Sequence, residues 1–240
     1  MLSPGIRYTL EECIDMPPMV LEEREIPLSN KQKDAYRSMY KKLVYEYENG
    51  EISAKNAAVK VQKLLQISSG VLYDSETGET VHLPCQKREE ELITILGEQS
   101  PQKLIIATHY SATIDKLLAF FKKKKIQALA LRGGMSPKGR ALAIDAFQDG
   151  TLPVLIIQPQ AAAHGLTLTV ANTVVWYGPT MSNETYTQLN ARVRRPGQSR
   201  TQIVVRISSS YVERRFFKAL DGKEKLSQVL LSLYKDPDWT

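Results

Sequence analysis

The chain has 240 residues, 42% of them apolar, with 32 Lys and Arg against 26 Asp and Glu and a formal net charge of +6. That is enough apolar material for one sizeable α/β core with an attached helical piece, and the basic balance points to a polyanionic partner. It excludes a spanning helix, since no run of about eighteen apolar residues occurs; two distant cysteines and three scattered histidines exclude a disulfide framework or a zinc site.

The first residues, MLSPGIRYTLEECIDMPP, have no basic-then-apolar leader pattern, and a reducing, cytoplasmic setting fits. Residues 1–28 carry Pro4, Pro17, Pro18 and Pro27 and should run extended. Val20, Glu22, Arg24 and Ile26 share one side of that run, and Leu21, Glu23 and Glu25 the other, a weak pattern for an edge strand. Ser29 reads as the N-cap of a helix that Asn49-Gly50 stops. Its Tyr36, Met39, Tyr40, Leu43, Val44 and Tyr47 lie at helical spacing and read as core. A second helix is expected over 53–68, with Ala57, Val61, Leu64 and Leu65 inward, then a hairpin pairing 71–73 with 80–82.

From Gln86 the pattern becomes strand–helix alternation, the sign of a mainly parallel sheet with helices on its faces. Helix 86–97 precedes strand 103–107; helix 111–124 follows, then strand 128–131, helix 137–149, strand 154–157, strand 173–177, helix 183–194 and strand 203–207. Ser136-Pro137 is a cap with proline at the first helical position. The tail, 211–234, reads as helix broken near Asp221-Gly222. The reading is a five- or six-stranded mainly parallel sheet.

In open α/β sheets ligands bind outside the C-terminal ends of the strands. Thr108 and His109 close one strand, Arg132 and Gly133 the next, and residues 158–165, with Gln160, His164 and Gly165, follow the third. Small residues and short polar groups there suit backbone phosphates. The run Lys122 to Lys125 sits where a helix ends and reads as a solvated, dipole-matched face.

One stretch carries more specific chemistry. Residues 188–198 read QLNARVRRPGQ. Gln188 and Arg192 are four apart and Arg192 and Arg195 three apart, so the helix should present all three on one face. Two guanidiniums beside a glycine turn form a fork suited to a phosphoryl group.

This pattern resembles motif VI of helicase superfamily two, and the ending Arg195-Pro196-Gly197-Gln198 looks like that of Swi/Snf-type ATPases, including their phage and bacterial relatives. Residues 103–110 resemble motif IV. Residues 131–147, with Gly133, Arg140 and Phe147, resemble the next block, and 155–168, ending Gly165-Leu166-Thr167-Leu168, motif V. Leu28, Ser29, Gln32, Tyr36, Leu64, Gln66, Ile67 and Gly70 resemble the segment joining the two lobes. The resemblance implies a RecA-like fold divided into 1–85 (inter-lobe helices and hairpin), 86–208 (C-terminal lobe) and 209–240 (brace helices). It implies arginine fingers at Arg192 and Arg195, nucleotide contacts at Gln188, Gly165, Thr167 and Gln198, and DNA-backbone contacts at Thr108, His109, Arg132, Gly133 and Gln160. Motif V departs from the family pattern at Gln158-Pro159 and Ala162-Ala163, and Thr167 stands where Asn is usual.

No Gly-x-x-x-x-Gly-Lys-Ser/Thr occurs, nor an Asp-Glu-x-Asp/His strand end. The chain therefore resembles the second lobe only. ATP and magnesium would be shared with an N-terminal RecA-like lobe in cis or in trans, and the isolated chain would be inactive. The alternative is a non-catalytic DNA-binding or docking module acting alone or in trans. The motor reading expects Arg192 and Arg195 outside internal salt bridges and at the strand ends.

Overall fold

The computed structural model describes residues 16–48, 54–74, 77–100, 102–163, 166–222 and 229. The first described element is a strand, β1 (Met19–Glu25), then helices α1 (Asn30–Glu48) and α2 (Ala54–Ser68). The hairpin β2 (Val71–Tyr73) and β3 (Thr80–His82) pairs antiparallel, as the turn-forming residues between them predict. The alternating part runs α3 (Gln86–Glu98), β4 (Lys103–Ala107), α4 (Ser111–Lys123), β5 (Ala128–Leu131), α5 (Pro137–Gln148) and β6 (Val154–Ile157). A single 3-10 turn, Pro159–Ala163, leads towards β7 (Ala171–Trp176), α6 (Asn183–Val193), β8 (Gln202–Ser208) and α7 (Tyr211–Leu220).

Six strands form one parallel sheet in the order β1-β8-β7-β4-β6-β5. From β4 the chain goes to the far edge at β5, returns to place β6 between them, and then crosses to the other side of β4 at β7, so the topological switch point lies between β4 and β7. Successive strand residues point to opposite faces. Ile105, Leu155, Val174 and Val204 go to one face, under Phe147 of α5, Leu189 and Val193 of α6 and Phe217 of α7. Leu104, Ile106, Val154, Ile156, Val175 and Val205 go to the other, under Leu92 and Ile95 of α3 and Ile114, Leu117 and Phe121 of α4. Each such buried side chain contributes roughly 1.5–3 kcal/mol over exposure.

A third cluster joins the helices outside the sheet: Tyr36, Tyr40 and Leu43 of α1, Val61, Leu64 and Leu65 of α2, and Val212, Phe216 and Ala219 of α7. Of the tyrosines expected in the core, Tyr36 and Tyr40 are there, each 2% exposed, while the side chain of Tyr47 lies outside those described. Strand β1 pairs with β8 along its whole length, Met19 opposite Gln202 through Glu25 opposite Ser208. Its faint alternation has a physical reason: it is an edge strand with Met19, Val20 and Leu21 exposed. The helix over 111–124 has Ser111 as its first residue and Tyr110 as its N-cap, which makes no side-chain capping bond. The residues of the tail beyond Gly222, apart from Val229, lie outside those described, as do Asn49-Gly50 and His164-Gly165.

Candidate functional site

Two polar surfaces stand out. The first is at the C-terminal ends of β4, β5 and β6, beside the switch point. Gln158, just past β6, ties the other two strands together: its Oε1 accepts from the Gly133 N–H at 2.9 Å and its Nε2 donates to the His109 carbonyl at 3.2 Å. Gln160 Nε2 lies 3.0 Å from His109 Nδ1. An amide nitrogen donates, so a neutral imidazole accepts at Nδ1 and carries its proton on Nε2, which is buried with no partner. Burial pushes the His109 pKa down to about 4, so the ring is neutral at pH 7. Arg132 is half-exposed and reaches Asp115 at 2.7 Å, a surface pair that another anion can displace at little cost.

His109, Arg132, Gly133 and Gln160 are thus brought to one edge. Thr108 is not offered to a ligand: it is 3% exposed, because its N–H continues the ladder to Ile157. This corrects its assignment to the DNA contacts. Gln158 organises the edge, a role that the motif pattern does not give it; its position directly after a buried strand is the signal for it in the sequence.

The second surface is built by the end of α6. Ser182 caps this helix, accepting from Thr185 N, and buried Tyr186, Leu189, Asn190 and Val193 hold it to the sheet. Asn190 Oδ1 accepts from Trp176 Nε1 at 3.1 Å, and its carbonyl accepts from Gln202 Nε2 at 2.9 Å, so one residue fastens α6 to β7 and β8. Gln188 is exposed and donates to Glu184 at 2.8 Å. The helix ends at Val193 with Arg194 as C-cap, so Arg195 is not on the helical face expected for it; it belongs to the turn. Gly197 makes that turn, at φ +98, a conformation in which a side chain is strained.

Arg195 Nη1 donates to Thr167 Oγ1 at 3.0 Å, and Leu168 N–H bonds the Arg192 carbonyl at 3.0 Å. The two arginines remain neighbours: burial lowers the Arg192 pKa and the positive charge of Arg195 lowers it further. An incoming oxyanion would relieve that repulsion. Gln198 is 6% exposed and spends its amide on the carbonyls of Thr169, Ala171 and Val193, while its Oε1 accepts from Arg200 N. No donor is left for a nucleotide, which corrects its assignment as a contact; it fixes the turn. Gly165 lies outside the described residues.

The arginines are also on a different edge from the one expected. Gln198 bonds the first residue of β7 and Thr167 precedes that strand, so Arg192 and Arg195 lie at the N-terminal ends of the strands. The physical reason is the crossover: a helix between parallel strands runs back from the C-terminal edge, so its last turn arrives at the opposite one. The two surfaces are therefore separate. At the second, the paired guanidiniums and the Thr167 hydroxyl fit one end of a phosphoryl group, and among the described residues no carboxylate joins them to form a magnesium site.

Residues 87–197 match the helicase conserved C-terminal domain. That segment, a little under half of the chain, is similar to the C-terminal domain of helicases, and solved structures of Swi2/Snf2 ATPases share its fold. A protein of Acyrthosiphon pisum secondary endosymbiont phage 1, putative protein p41, is 28% identical over 171 residues, covering 70% of this chain and 34% of that protein. The human DNA repair and recombination protein RAD54-like is 26% identical over 148 residues, covering 60% of this chain and 20% of its own length. The chain thus spans about a third of the one and a fifth of the other. Among solved structures, the Sulfolobus solfataricus SWI2/SNF2 ATPase core in complex with dsDNA shares the fold with a TM-score of 0.73 at 19% identity, covering 97% of this chain and 53% of that one. The C-terminal part of the Fun30 ATPase domain superposes with a TM-score of 0.71 at 16% identity, covering 92% and 99%.

Proposed function

We propose that this chain is the second, Swi2/Snf2-type lobe of a DNA-dependent ATPase that moves along DNA, with an N-terminal lobe, in cis or in trans, holding the ATP and magnesium. The observation that carries the reading is the pairing of Arg192 with Arg195, the latter steadied by Thr167, on a surface separate from the polar strand ends. Arg195 and Arg192 would approach the γ-phosphate from the side opposite its phosphate-binding loop and offset charge that develops there, with Gln188 orienting the same face. ATP, when bound, supplies the scissile phosphoanhydride. The other edge, His109, Arg132, Gly133 and Gln160, would hold one DNA strand by its phosphates, so binding would tolerate any sequence. Closing and reopening of the two lobes would then shift this edge along the strand.

The sequence contains no phosphate-binding loop, so the purified 240-residue chain is expected to hydrolyse no ATP, with or without duplex DNA. Adding the lobe that carries such a loop is expected to produce DNA-stimulated phosphate release. Hydrolysis by the chain alone that disappears in R195A would overturn the division of labour. The same chain binding DNA, yet giving no hydrolysis with any added lobe, would favour a docking module instead.

A further inference from the structure

Strand β5 is an open edge. It pairs with β6, and among the described residues no strand pairs with its other side. The Leu131 carbonyl accepts from the N–H of Gln158, just past β6, at 2.8 Å, so alternation leaves the N–H and C=O groups of Ala128 and Ala130 to the open side. A groove of about 750 Å³ runs along the start of this edge, with α4 on one bank and α5 on the other. A further hollow of about 510 Å³ shares Ile126 and Thr151 with it and reaches Leu96 and Pro153, so the groove outruns the four residues of β5. Neither polar surface described above includes these residues.

The two banks differ in chemistry. Ala128 and Ala130 face α4, which brings Leu118 and, at its end, Lys122 and Lys125 to the groove. Leu131 packs on the α5 face, and Leu129, two residues back, shares that face. This second bank is apolar: Leu129, Ala146 and Leu152 line it, and Leu142, one turn from Ala146 on α5, is 60% exposed. The exposed charges of α5 nearby, Asp145 and Asp149, are acidic.

The end of α4 carries a lysine where glycine is usual. The Lys125 N–H bonds the Lys122 carbonyl at 3.0 Å and the Ile126 N–H that of Phe121 at 2.9 Å, which closes the helix with Lys125 at φ +59. A side chain is strained in that conformation, and the turn sets a second positive charge on the groove.

An extended segment laid along β5 would send alternate side chains to the two banks. One set would meet lysines, the other leucine and alanine. We infer that this edge binds a partner peptide as an added strand, and that the peptide alternates acidic with apolar residues, the acids toward α4 and the apolar side chains toward α5. The occupant is a peptide rather than DNA, because phosphates gain nothing from the open ladder or from the leucine bank.

The test uses the intact chain and a short labelled peptide, blocked at both ends, that alternates Asp with Val. A control of the same composition carries all its Asp before all its Val. Affinity is read by fluorescence anisotropy, and exchange of the Ala128 and Ala130 amides by NMR. The alternating peptide is expected to bind and to slow exchange at both amides. In K122E/K125E its affinity should fall about tenfold or more, since attraction becomes repulsion at two positions. K125G removes one charge and the strain together, so it should fold at least as stably as the wild type and still bind about threefold more weakly. No binding of the alternating peptide, equal binding of the control, unchanged affinity in K122E/K125E, or binding without slowed exchange would each overturn the inference. Self-association of the chain that L129S abolishes would overturn it in favour of a second copy as the occupant.

Discussion

Arg88 and Glu213 are 125 positions apart, and both are buried, at 2% and 0% exposure. Arg88 bonds Glu213, the carbonyls of Ser68, Tyr177 and Ile207, and the hydroxyl of Ser209. Nothing in the sequence marks either residue, since a lone Arg or Glu on an amphipathic helix reads as solvent-facing. Replacing Arg88 by Met strands a buried carboxylate, and is expected to cost about 3–5 kcal/mol, seen as a lower denaturant midpoint. His109 allows a pH prediction. Its folded-state pKa, about 4, lies below the unfolded value of about 6.5. As pH falls from about 6.5 towards 4, the unfolded chain takes up a proton that the folded one refuses, so stability falls. The loss is at most about 3 kcal/mol, complete near pH 4 and absent above pH 7. Denaturation midpoints of wild type and H109Q from pH 7.5 to 4.5 should diverge in the wild type's disfavour as pH drops; parallel curves would contradict the buried neutral ring.

Helices and strands with a strong period were legible before any coordinates. The continuous runs of β4, β6 and β7, buried on both faces, the Ser136-Pro137 start of α5 and the paired ends of the hairpin follow from side-chain pattern and turn chemistry alone. What pattern could not give was the end of α6. Periodicity carries Arg195 onto the helical face, but the chain leaves the helix at Arg194 and turns on Gly197. A left-handed glycine can stop a helix earlier than its side-chain spacing implies. Replacing Gly197 by Ala is expected to cost about 1–3 kcal/mol, since φ +98 strains any side chain. Open space around its Cβ position means that the strain acts alone. Thermal unfolding would register it as a fall of a few degrees, and an unchanged midpoint would contradict the strained turn.

Across the whole lobe, α7 is the element that makes one body of two cores. Phe217 and Leu220 face the sheet, while Val212, Phe216 and Ala219 face α1 and α2. The placement of the arginines was legible in the chain order, because a crossover helix must end where the next parallel strand begins. The strand-end rule holds for residues that follow a strand, not for those that close a crossover helix. The lobe has two polar edges: paired guanidiniums at the N-terminal ends of the strands and a polar rim at their C-terminal ends. The claim that needs testing is that the first edge serves a nucleotide held by another lobe. The direct measurement is steady-state ATP hydrolysis by the complete two-lobed enzyme carrying R195A, with DNA affinity measured on the same sample. Turnover should fall about a thousandfold or more while DNA affinity stays within about twofold; near-normal turnover would contradict the account.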